Sequence, residues 1–406
     1  MKYARTTRLL CCAALVAASV PAAIVPAAAS GGPGGTDWRR SSCVGSPHPE
    51  RGPARGVLDI AEQAKQEFDL NSVILRVTYG GRDFITSALG ESMTGVPADP
   101  AMHFRVGSVG IAFMGTTLLR LVDEGRVSLD DPVARWIPEL PNSDKITLRM
   151  LGDTTSGLSD YVTNTDFLAE LEAHPFKHWT PEELVGFALS KPFWYEPGTN
   201  WSYSHANFVL LGTALQRITD TRLDVLLQRY IMGPLGLRET ANSFTPDIPN
   251  PVLHAFTSER GMYEESTFWN PSWTTAPGAV LTSDICDLTT SAEGIGSGRL
   301  LSEESHRELL NPGTVGLGGP TETCPATVCL PMTEELHYGM SVLVQGDWVI
   351  QNPSFSGYAA AQGYLPQEKL AIAVSTTKGH TTPADLNTAQ VIMTRIAESL
   401  GHPIPG

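Results

Sequence analysis

A serine placed just before a strongly apolar helix is the most informative local feature of this 406-residue chain. The segment reads Phe104-Arg105-Val106-Gly107-Ser108-Val109 and leads into apolar positions at helical spacing that end at Glu124-Gly125. Those apolar positions are Ile111, Met114, Leu118, Leu121 and Val122. At a helix N-terminus, free amides and the positive end of the helix dipole favour an oxyanion beside Ser108. A capping serine would occupy the same position, so the surrounding sequence must separate the two interpretations.

Further segments, in the same order along the chain, resemble the nucleophile region and framing loops of one known family. They are residues 121–133, Thr155-Ser156-Gly157-Leu158, Glu196-Pro197-Gly198-Thr199, Trp201-Ser202-Tyr203-Ser204, residues 209–212 and Gly363-Tyr364-Leu365-Pro366. With the Ser108 segment they resemble the penicillin-recognising serine hydrolases, which include class C β-lactamases, D-alanyl-D-alanine carboxypeptidases and related esterases. The resemblance covers nearly all of the mature chain and implies that family's fold.

The periodicity predicts an α+β fold of the same kind. Near the start, a helix around residues 57–68 precedes two strands joined by Gly80-Gly81, and near the end two strands joined across Pro366-Gln367 precede a helix. Between them the patterns are helical, at residues 181–190, 206–219 and 223–231. We therefore predict an antiparallel sheet flanked by the terminal helices, from about 56–105 and 335–406, with a mainly helical subdomain inserted at about 106–334. The active cleft would lie where the two parts meet.

The family resemblance implies a lysine three residues after the serine, where one helical turn brings its amine to the hydroxyl. Here the tetrad is Ser108-Val109-Gly110-Ile111. Isoleucine cannot accept a proton, so Ser108 needs another base or remains a poor nucleophile. Ile111 itself continues the apolar stripe and is expected in the core.

The second family element is a tyrosine followed two positions later by a polar residue, and Tyr203-Ser204-His205 matches it. In the family the tyrosine moves protons and an asparagine holds the substrate. Without the lysine, Tyr203 alone is a weak base at neutral pH. An imidazole is a suitable general base, so His205 either replaces the lysine or simply makes a hydrogen bond in the pocket wall. We assign Ser108, Tyr203 and His205 as catalytic.

The third family element is a K-T-G or H-x-G triplet whose cation attracts a substrate carboxylate. The matching positions are Gln351-Asn352-Pro353, or Phe355-Ser356-Gly357 in the other alignment, and neither supplies a positive charge. Proline also removes a donor and belongs at edges or bulges. We assign Gln351, Asn352 and Ser354 to substrate binding. Asp153, in the loop before Thr155, is added to that set, because it either orients a cleft histidine or caps a turn.

Composition limits the compartment and the partners. The chain has 28 Lys and Arg against 43 Asp and Glu, a net charge of −15 that disfavours nucleic acid. Residues 1–29 resemble a secretory signal peptide without a stable membrane span after cleavage, and residues 30–55 are predicted to be a flexible leader. A secreted protein would form disulfides.

Four cysteines remain after removal of the signal segment. We pair Cys324 with Cys329 and Cys43 with Cys286, which is one of three possible connectivities. The spacing does not suggest a metal site, and no cofactor is expected.

Two hypotheses of different classes follow. In the first, the chain is a secreted serine hydrolase or acyltransferase that forms an acyl-Ser108 intermediate with an ester, amide or biosynthetic intermediate that need not carry a carboxylate. In the second, it is a non-catalytic secreted protein that binds a small-molecule or peptide-like ligand in the retained cleft. We favour the enzyme, and we expect neither ordinary β-lactamase nor carboxypeptidase activity. A purely structural role is the third possibility, and the oligomeric state is left open.

Overall fold

Strands from opposite ends of the chain pair in the centre of one antiparallel sheet. The computed structural model describes residues 43–405. Strand β1 (Leu70–Tyr79) pairs on one side with β2 (Arg82–Met93) and on the other with β14 (Leu370–Lys378). Gly80 and Gly81 join β1 to β2, and both have the positive φ that this tight hairpin requires. This confirms the predicted arrangement of the two chain ends.

The main sheet runs in the order β3-β2-β1-β14-β13-β11-β10-β9, with β12 paired to β13, and a second small sheet has the order β4-β8-β5. Strands β6 and β7 form a separate pair. The remaining strands are β3 (Val96–Pro97), β4 (Phe104–Arg105), β5 (Ala241–Asn242), β6 (Phe256–Thr257), β7 (Glu264–Glu265), β8 (Leu281–Ser283), β9 (Leu336–Tyr338), β10 (Leu343–Gln345), β11 (Trp348–Gln351), β12 (Ser354–Phe355) and β13 (Tyr358–Leu365).

Helices cover both faces of this sheet and fill the insertion between its strands. They are α1 (Pro53–Glu67), α2 (Val109–Asp123), α3 (Leu148–Gly152), α4 (Thr165–Ala173), α5 (Pro181–Leu189), α6 (His205–Thr219), α7 (Leu223–Leu227), α8 (Gly233–Leu235), α9 (Ile285–Gly296), α10 (Glu303–Leu309) and α11 (Thr388–Ser399). The structure confirms the α+β class and the terminal helices. Helix α1 begins at Pro53, inside the segment predicted to be a flexible leader, because Pro53 at its first turn suits a helix start.

Small residues let helices approach the two central strands from both sides. Strands β13 and β14 are buried along their whole length, with α1 and α11 on one face and α9 on the other. Gly363 illustrates the fit, since a Cβ there would lie 3.0 Å from the sulfur of Met393 on α11. The alanine-rich sequence of β13 therefore reflects close packing on both faces.

Helix α2 is buried on almost every side, not along one stripe. From Val109 to Leu121, Arg120 is the position that is not buried. Ile111 and Phe113 of α2 belong to a hydrophobic core that continues into the helical insertion. A second hydrophobic core lies between the sheet and helices α1 and α11. Ser108 is therefore carried by one of the most enclosed helices of the described chain.

The predicted disulfide pairing is confirmed. Cys43 bonds Cys286, and Cys324 bonds Cys329. The predicted signal segment, residues 1–29, and the first half of the predicted leader, residues 30–42, lie outside the described residues. Within residues 43–405, every helix is too short or too polar to span a lipid bilayer.

Candidate active site

Ser108 is presented by a short strand that turns directly into helix α2. Strand β4 is held by β8, with Arg105 paired to Thr282, and Ser108 follows three residues later at the N-cap of α2. The turn needs Gly107, because its φ is positive and a Cβ would lie 2.5 Å from a ring carbon of Phe355. The nucleophile candidate is thus half-buried and lies close to the Phe355 ring.

The amides of the first turn of α2 are used within the turn. Val109, Gly110 and Ile111 donate to the carbonyls of the residues three positions earlier at 2.9, 2.9 and 3.0 Å. This corrects the expectation that these helix amides are free for an oxyanion. The amide of Ser108 is in none of these bonds and, within residues 43–405, donates to no other backbone carbonyl. It is the donor left beside the serine oxygen.

The Ser108 side chain neighbours the Tyr203 hydroxyl and interacts with it. Burial raises the pKa of Tyr203 above its ordinary value, while the interaction with Ser108 lowers it in part. Its ring lies 5.0 Å from the His205 ring and 6.1 Å from the Tyr338 ring, centroid to centroid, edge to face in both cases. Tyr203 is therefore a neutral phenol at neutral pH, and it neighbours both the serine and the histidine.

His205 is held by a carboxylate that sequence reasoning did not identify. Its Nδ1 lies 2.9 Å from Oδ2 and 3.2 Å from Oδ1 of Asp160, and the His205 amide also donates to Asp160 at 3.2 Å. Asp160 is 7% exposed and His205 is 17% exposed. With the carboxylate as acceptor, the proton of neutral His205 is on Nδ1, which leaves Nε2 as an acceptor.

The signal for Asp160 was present in the sequence but was not recognised. Asp160 follows Thr155-Ser156-Gly157-Leu158, a segment already singled out for its resemblance. Its partner lies 45 positions later, so only the tertiary contact connects the two.

Ile111 lies in the core, as expected. Its side chain is fully buried among the helices of the insertion. Within the described chain, no lysine is hydrogen-bonded to Ser108 or Tyr203. The buried lysine, Lys378, donates its ammonium to the carbonyl of Ala384 at 2.7 Å instead. The family's amine is not replaced from elsewhere in residues 43–405.

The predicted substrate-binding residues do not form one group. Gln351 is buried and donates Nε2 to the Ser341 carbonyl at 2.6 Å. Asn352 donates Nδ2 to Gln390 of α11 at 2.8 Å, so it points to the sheet face opposite α9. The assignment of Asn352 to substrate binding stays a prediction, and in the structure its amide is bonded to the terminal helix. Ser354 is exposed and lines a cavity discussed below.

Asp153 also lies apart from the histidine. Its Oδ1 accepts from the Thr155 hydroxyl at 2.6 Å and from the Thr155 amide at 3.1 Å, so it caps a turn. Burial raises its pKa to about 6. It lines a cavity of about 200 Å³ together with Arg149 and Tyr338. Asp160, and not Asp153, is the acid that orients the cleft histidine.

Pro353 interrupts the strand that faces the site, as proline at a bulge would. Strand β11 ends at Gln351 and β12 begins at Ser354. The Pro353 carbonyl still accepts from Ala360 at 2.8 Å. Among residues 43–405, there is also no group of three or more His, Cys, Asp or Glu side chains arranged to hold a metal ion.

Comparisons with known proteins show the family and the fold. The family model described as Beta-lactamase matches residues 59–394. Among curated proteins, the chain is 24% identical to "Putative penicillin-binding protein PbpX" of Bacillus subtilis (strain 168) over 224 residues, 54% of this chain and 54% of that protein. It is 23% identical to "Protein flp" of Staphylococcus aureus (strain MW2) over 188 residues, 45% of this chain and 36% of that protein. The chain therefore spans about half or less of the length of these relatives.

Solved structures share the fold at low identity. A D-stereospecific amidohydrolase from Streptomyces sp. superimposes with a TM-score of 0.70 at 24% identity, covering 84% of this chain and 98% of that one. D-amino acid amidase from Ochrobactrum anthropi SV3, complexed with L-phenylalanine amide, superimposes with a TM-score of 0.72 at 20% identity, covering 86% of this chain and 98% of that one. EstCE1, described as a hydrolase with promiscuous acyltransferase activity, superimposes with a TM-score of 0.64 at 18% identity, covering 86% of this chain and 98% of that one.

Proposed function

The chain belongs to the Beta-lactamase family of serine hydrolases, and from that premise we propose that it is an acyl-serine enzyme in which His205, held by Asp160, replaces the missing lysine. The observation that carries the proposal is the 2.9 Å contact between His205 Nδ1 and Asp160 Oδ2, next to a tyrosine that neighbours Ser108. A base held by a carboxylate beside a serine is the arrangement that activates hydroxyl nucleophiles on unrelated folds.

The proposed base follows from the groups that surround Ser108. Ile111 has no basic atom, and burial keeps Tyr203 protonated. His205 has a nitrogen able to accept a proton, and the Asp160 carboxylate stabilises the imidazolium that results. Tyr203 then acts as a bridge between serine and histidine and not as the base.

The reaction proceeds in two transfers. Ser108 Oγ attacks the carbonyl carbon of the substrate while its proton passes to His205 Nε2, directly or through the Tyr203 hydroxyl. The bond from that carbon to the leaving oxygen or nitrogen breaks, and the leaving group takes the proton from His205. Water or an acceptor hydroxyl then attacks the acyl carbon, its proton passes to His205, and Ser108 is regenerated. The Ser108 amide is placed to donate to the oxyanion.

The preferred substrate in this proposal is an ester or amide without a carboxylate. Gln351 and Asn352 stand where the family has its cation-bearing triplet, and their amides are bonded within the protein. A substrate carboxylate would therefore meet no cation on that strand. A penicillin, which carries a carboxylate, should be a poor substrate.

The loss of the lysine also supports a second candidate, a ligand-binding protein without catalysis. The specific observation is Ile111, which is fully buried where the family amine would reach the serine. The two candidates share the cleft and differ in whether Ser108 reacts.

We also propose that the chain is exported. Its two disulfides are consistent with an oxidising compartment.

Exposure to a fluorophosphonate, followed by intact mass, tests the proposed function. The wild type should gain one adduct with loss of fluoride, and Ser108→Ala should gain none. His205→Asn, which restores the usual family residue but removes the base, should slow labelling at least about 100-fold. Added imidazole should restore part of the rate in His205→Ala. A penicillin should leave no adduct.

A matched control comes from a second histidine held by a carboxylate. His254 Nδ1 lies 2.7 Å from Glu265 Oε1, so His254→Asn removes the same kind of pair elsewhere and should leave labelling unchanged. A folded wild type that gains no adduct, or an adduct that survives in Ser108→Ala, would favour the binding protein.

A further inference from the structure

An apolar cavity of about 330 Å³ is lined by Phe355, Trp273 and Ser354, the last of which was assigned to substrate binding from the sequence. We call it the Trp273 cavity. Side chains of α4, of the preceding turn, of the loop before β8 and of β12 line it, namely Val162, Leu168, Leu171, Trp269, Trp273 and Phe355. Three of the six are aromatic, so the cavity offers ring faces and aliphatic carbons to a ligand.

Two aromatic side chains connect the cavity to the reacting residues. Phe355 packs against Gly107, the residue before Ser108. The rings of Phe355 and Trp273 meet edge to face with centroids 5.8 Å apart, and the Trp273 ring lies 6.3 Å from the His205 ring. The Tyr161 hydroxyl donates to the Trp273 carbonyl at 2.6 Å and fixes that part of the wall. The Phe355 and Trp273 rings therefore belong both to the cavity wall and to the surroundings of Ser108 and His205.

The charges at the rim are largely compensated. Arg260 interacts with Glu264, 3.7 Å away, and lies over the Trp269 ring. Glu259 lies near the ammonium of Lys378. Glu172, exposed at the mouth, is a carboxylate that would repel an anion. The cavity is thus suited to an uncharged group and disfavours an anionic one.

The volume limits the size of the occupant. Pockets for drug-sized ligands span about 300–1,000 Å³, so this cavity lies near the lower bound. It suits one ring on a short linker, or a branched alkyl chain, and is small for a fused polycycle.

We propose that the Trp273 cavity binds the acyl group of the substrate, and that this group is aromatic or branched alkyl and uncharged, an inference that rests on the proposed function. Burial of the group against Trp273 and Phe355 holds the adjacent carbonyl at Ser108. Binding energy from a part of the substrate that does not react then lowers the barrier at the reacting carbon.

Matched p-nitrophenyl esters test the proposal in the active protein. The 3-phenylpropionate ester should exceed the acetate ester in kcat/KM at least about tenfold, and the succinate half-ester should fall below the phenylpropionate. Leu171→Trp fills the cavity from α4, and Ala384→Phe fills it from the opposite rim. Either variant should lower phenylpropionate turnover to the level of the acetate ester and so remove the preference, whereas Val225→Trp, at an exposed position of α7, should keep the preference.

A binding measurement separates this inference from the proposed function. Calorimetry with 3-phenylpropionamide and Ser108→Ala should detect binding, and the same titration with Leu171→Trp added should not. If no ester is turned over, but the amide binds and the filled variants abolish that binding, the proposed enzymatic function is wrong and the proposed binding site in the cavity is supported. Equal use of the phenylpropionate and acetate esters, a preference that survives in both filled variants, or absence of amide binding would overturn the inference.

Discussion

At the scale of single residues, Ile111 and His205 are the two departures from the family pattern that affect the chemistry of Ser108. A hydrocarbon stands where the family resemblance implies an amine, and an imidazole stands where it implies an amide. Asp160 turns that imidazole into an oriented group, with Nδ1 bound and Nε2 left as the acceptor. In the proposed function, the imidazole at 205 takes the role of the amine that is absent at 111.

Ile111→Lys tests whether the family amine can still work in this cleft. A buried ammonium loses hydration, so its pKa falls and part of the amine is free to accept the Ser108 proton. We expect fluorophosphonate labelling to accelerate at least about tenfold. The free energy of unfolding should fall by about 2–5 kcal/mol, because a polar side chain replaces an apolar one in the core. Intact mass and urea denaturation measure the two effects.

Ile111→Met is the control for that change, because it keeps an apolar side chain of similar volume and should cost less than about 1.5 kcal/mol. It should leave the labelling rate as it is. A folded Ile111→Lys that labels no faster than wild type would mean that the break at Pro353, and not the absent amine, limits reactivity.

At the scale of elements, helix α2 is positioned by small residues on opposite sides. A Cβ on Gly110 would lie 2.2 Å from the Ala279 carbonyl oxygen, and a Cβ on Gly115 would lie 2.5 Å from Ser341 Cβ. These are backbone approaches that no larger side chain permits. The third position of the Ser108 tetrad is therefore a packing residue, and it fixes where the helix carries the serine.

Gly110→Ala should destabilise the protein, although alanine is the better helix former. Propensity alone favours alanine by about 1 kcal/mol, but the clash with Ala279 forces α2 to shift and costs about 1–3 kcal/mol more than that gain. Gly186→Ala, in α5 with no neighbouring atom within 4 Å, should instead stabilise by up to about 1 kcal/mol. Urea denaturation of both variants checks the contrast. Equal effects of the two substitutions on stability would contradict the close packing of α2 against Ala279.

At the scale of the whole molecule, buried carboxyls couple folding to pH. Burial raises the pKa of Asp153 to about 6, and burial together with Asp284 raises that of Asp287 to about 6. An unfolded Asp titrates near 3.9, so between about pH 4 and 6 the folded state holds more protons than the unfolded state. The contribution of these two groups to stability therefore falls as pH rises through that window and is lowest above it.

Asp153→Asn should remove part of this dependence. The amide oxygen can still accept from Thr155, while no charge has to be buried. We expect the melting temperature of the variant, relative to wild type, to rise between pH 4.5 and pH 7.5. Asp144→Asn removes an exposed carboxylate and should show no such trend. A difference between Asp153→Asn and wild type that does not change with pH would contradict the role of Asp153 as a buried acid.

The disulfide pairing was one of three that the sequence allowed, and the structure selected it. The sequence by itself determined the fold class, the terminal helices, strands β1, β2, β13 and β14, and the placement of Ser108 at the start of α2 and of Ile111 in the core. These depend on local signals: helical and strand periodicity, turn glycines such as Gly80 and Gly81, and motifs read along short segments. Such signals are physically local, because hydrogen bonds within a turn and the spacing of apolar residues act between near neighbours.

Only the tertiary structure decided which polar groups meet. Asp160 and His205 are 45 positions apart, Asn352 turns to α11, and Phe355 reaches Gly107 across the cleft. Each of these contacts joins distant segments whose relative placement is set by packing of the whole core. The direction of a side chain on such a segment depends on which distant residues pack against it, and a local sequence pattern does not specify those residues.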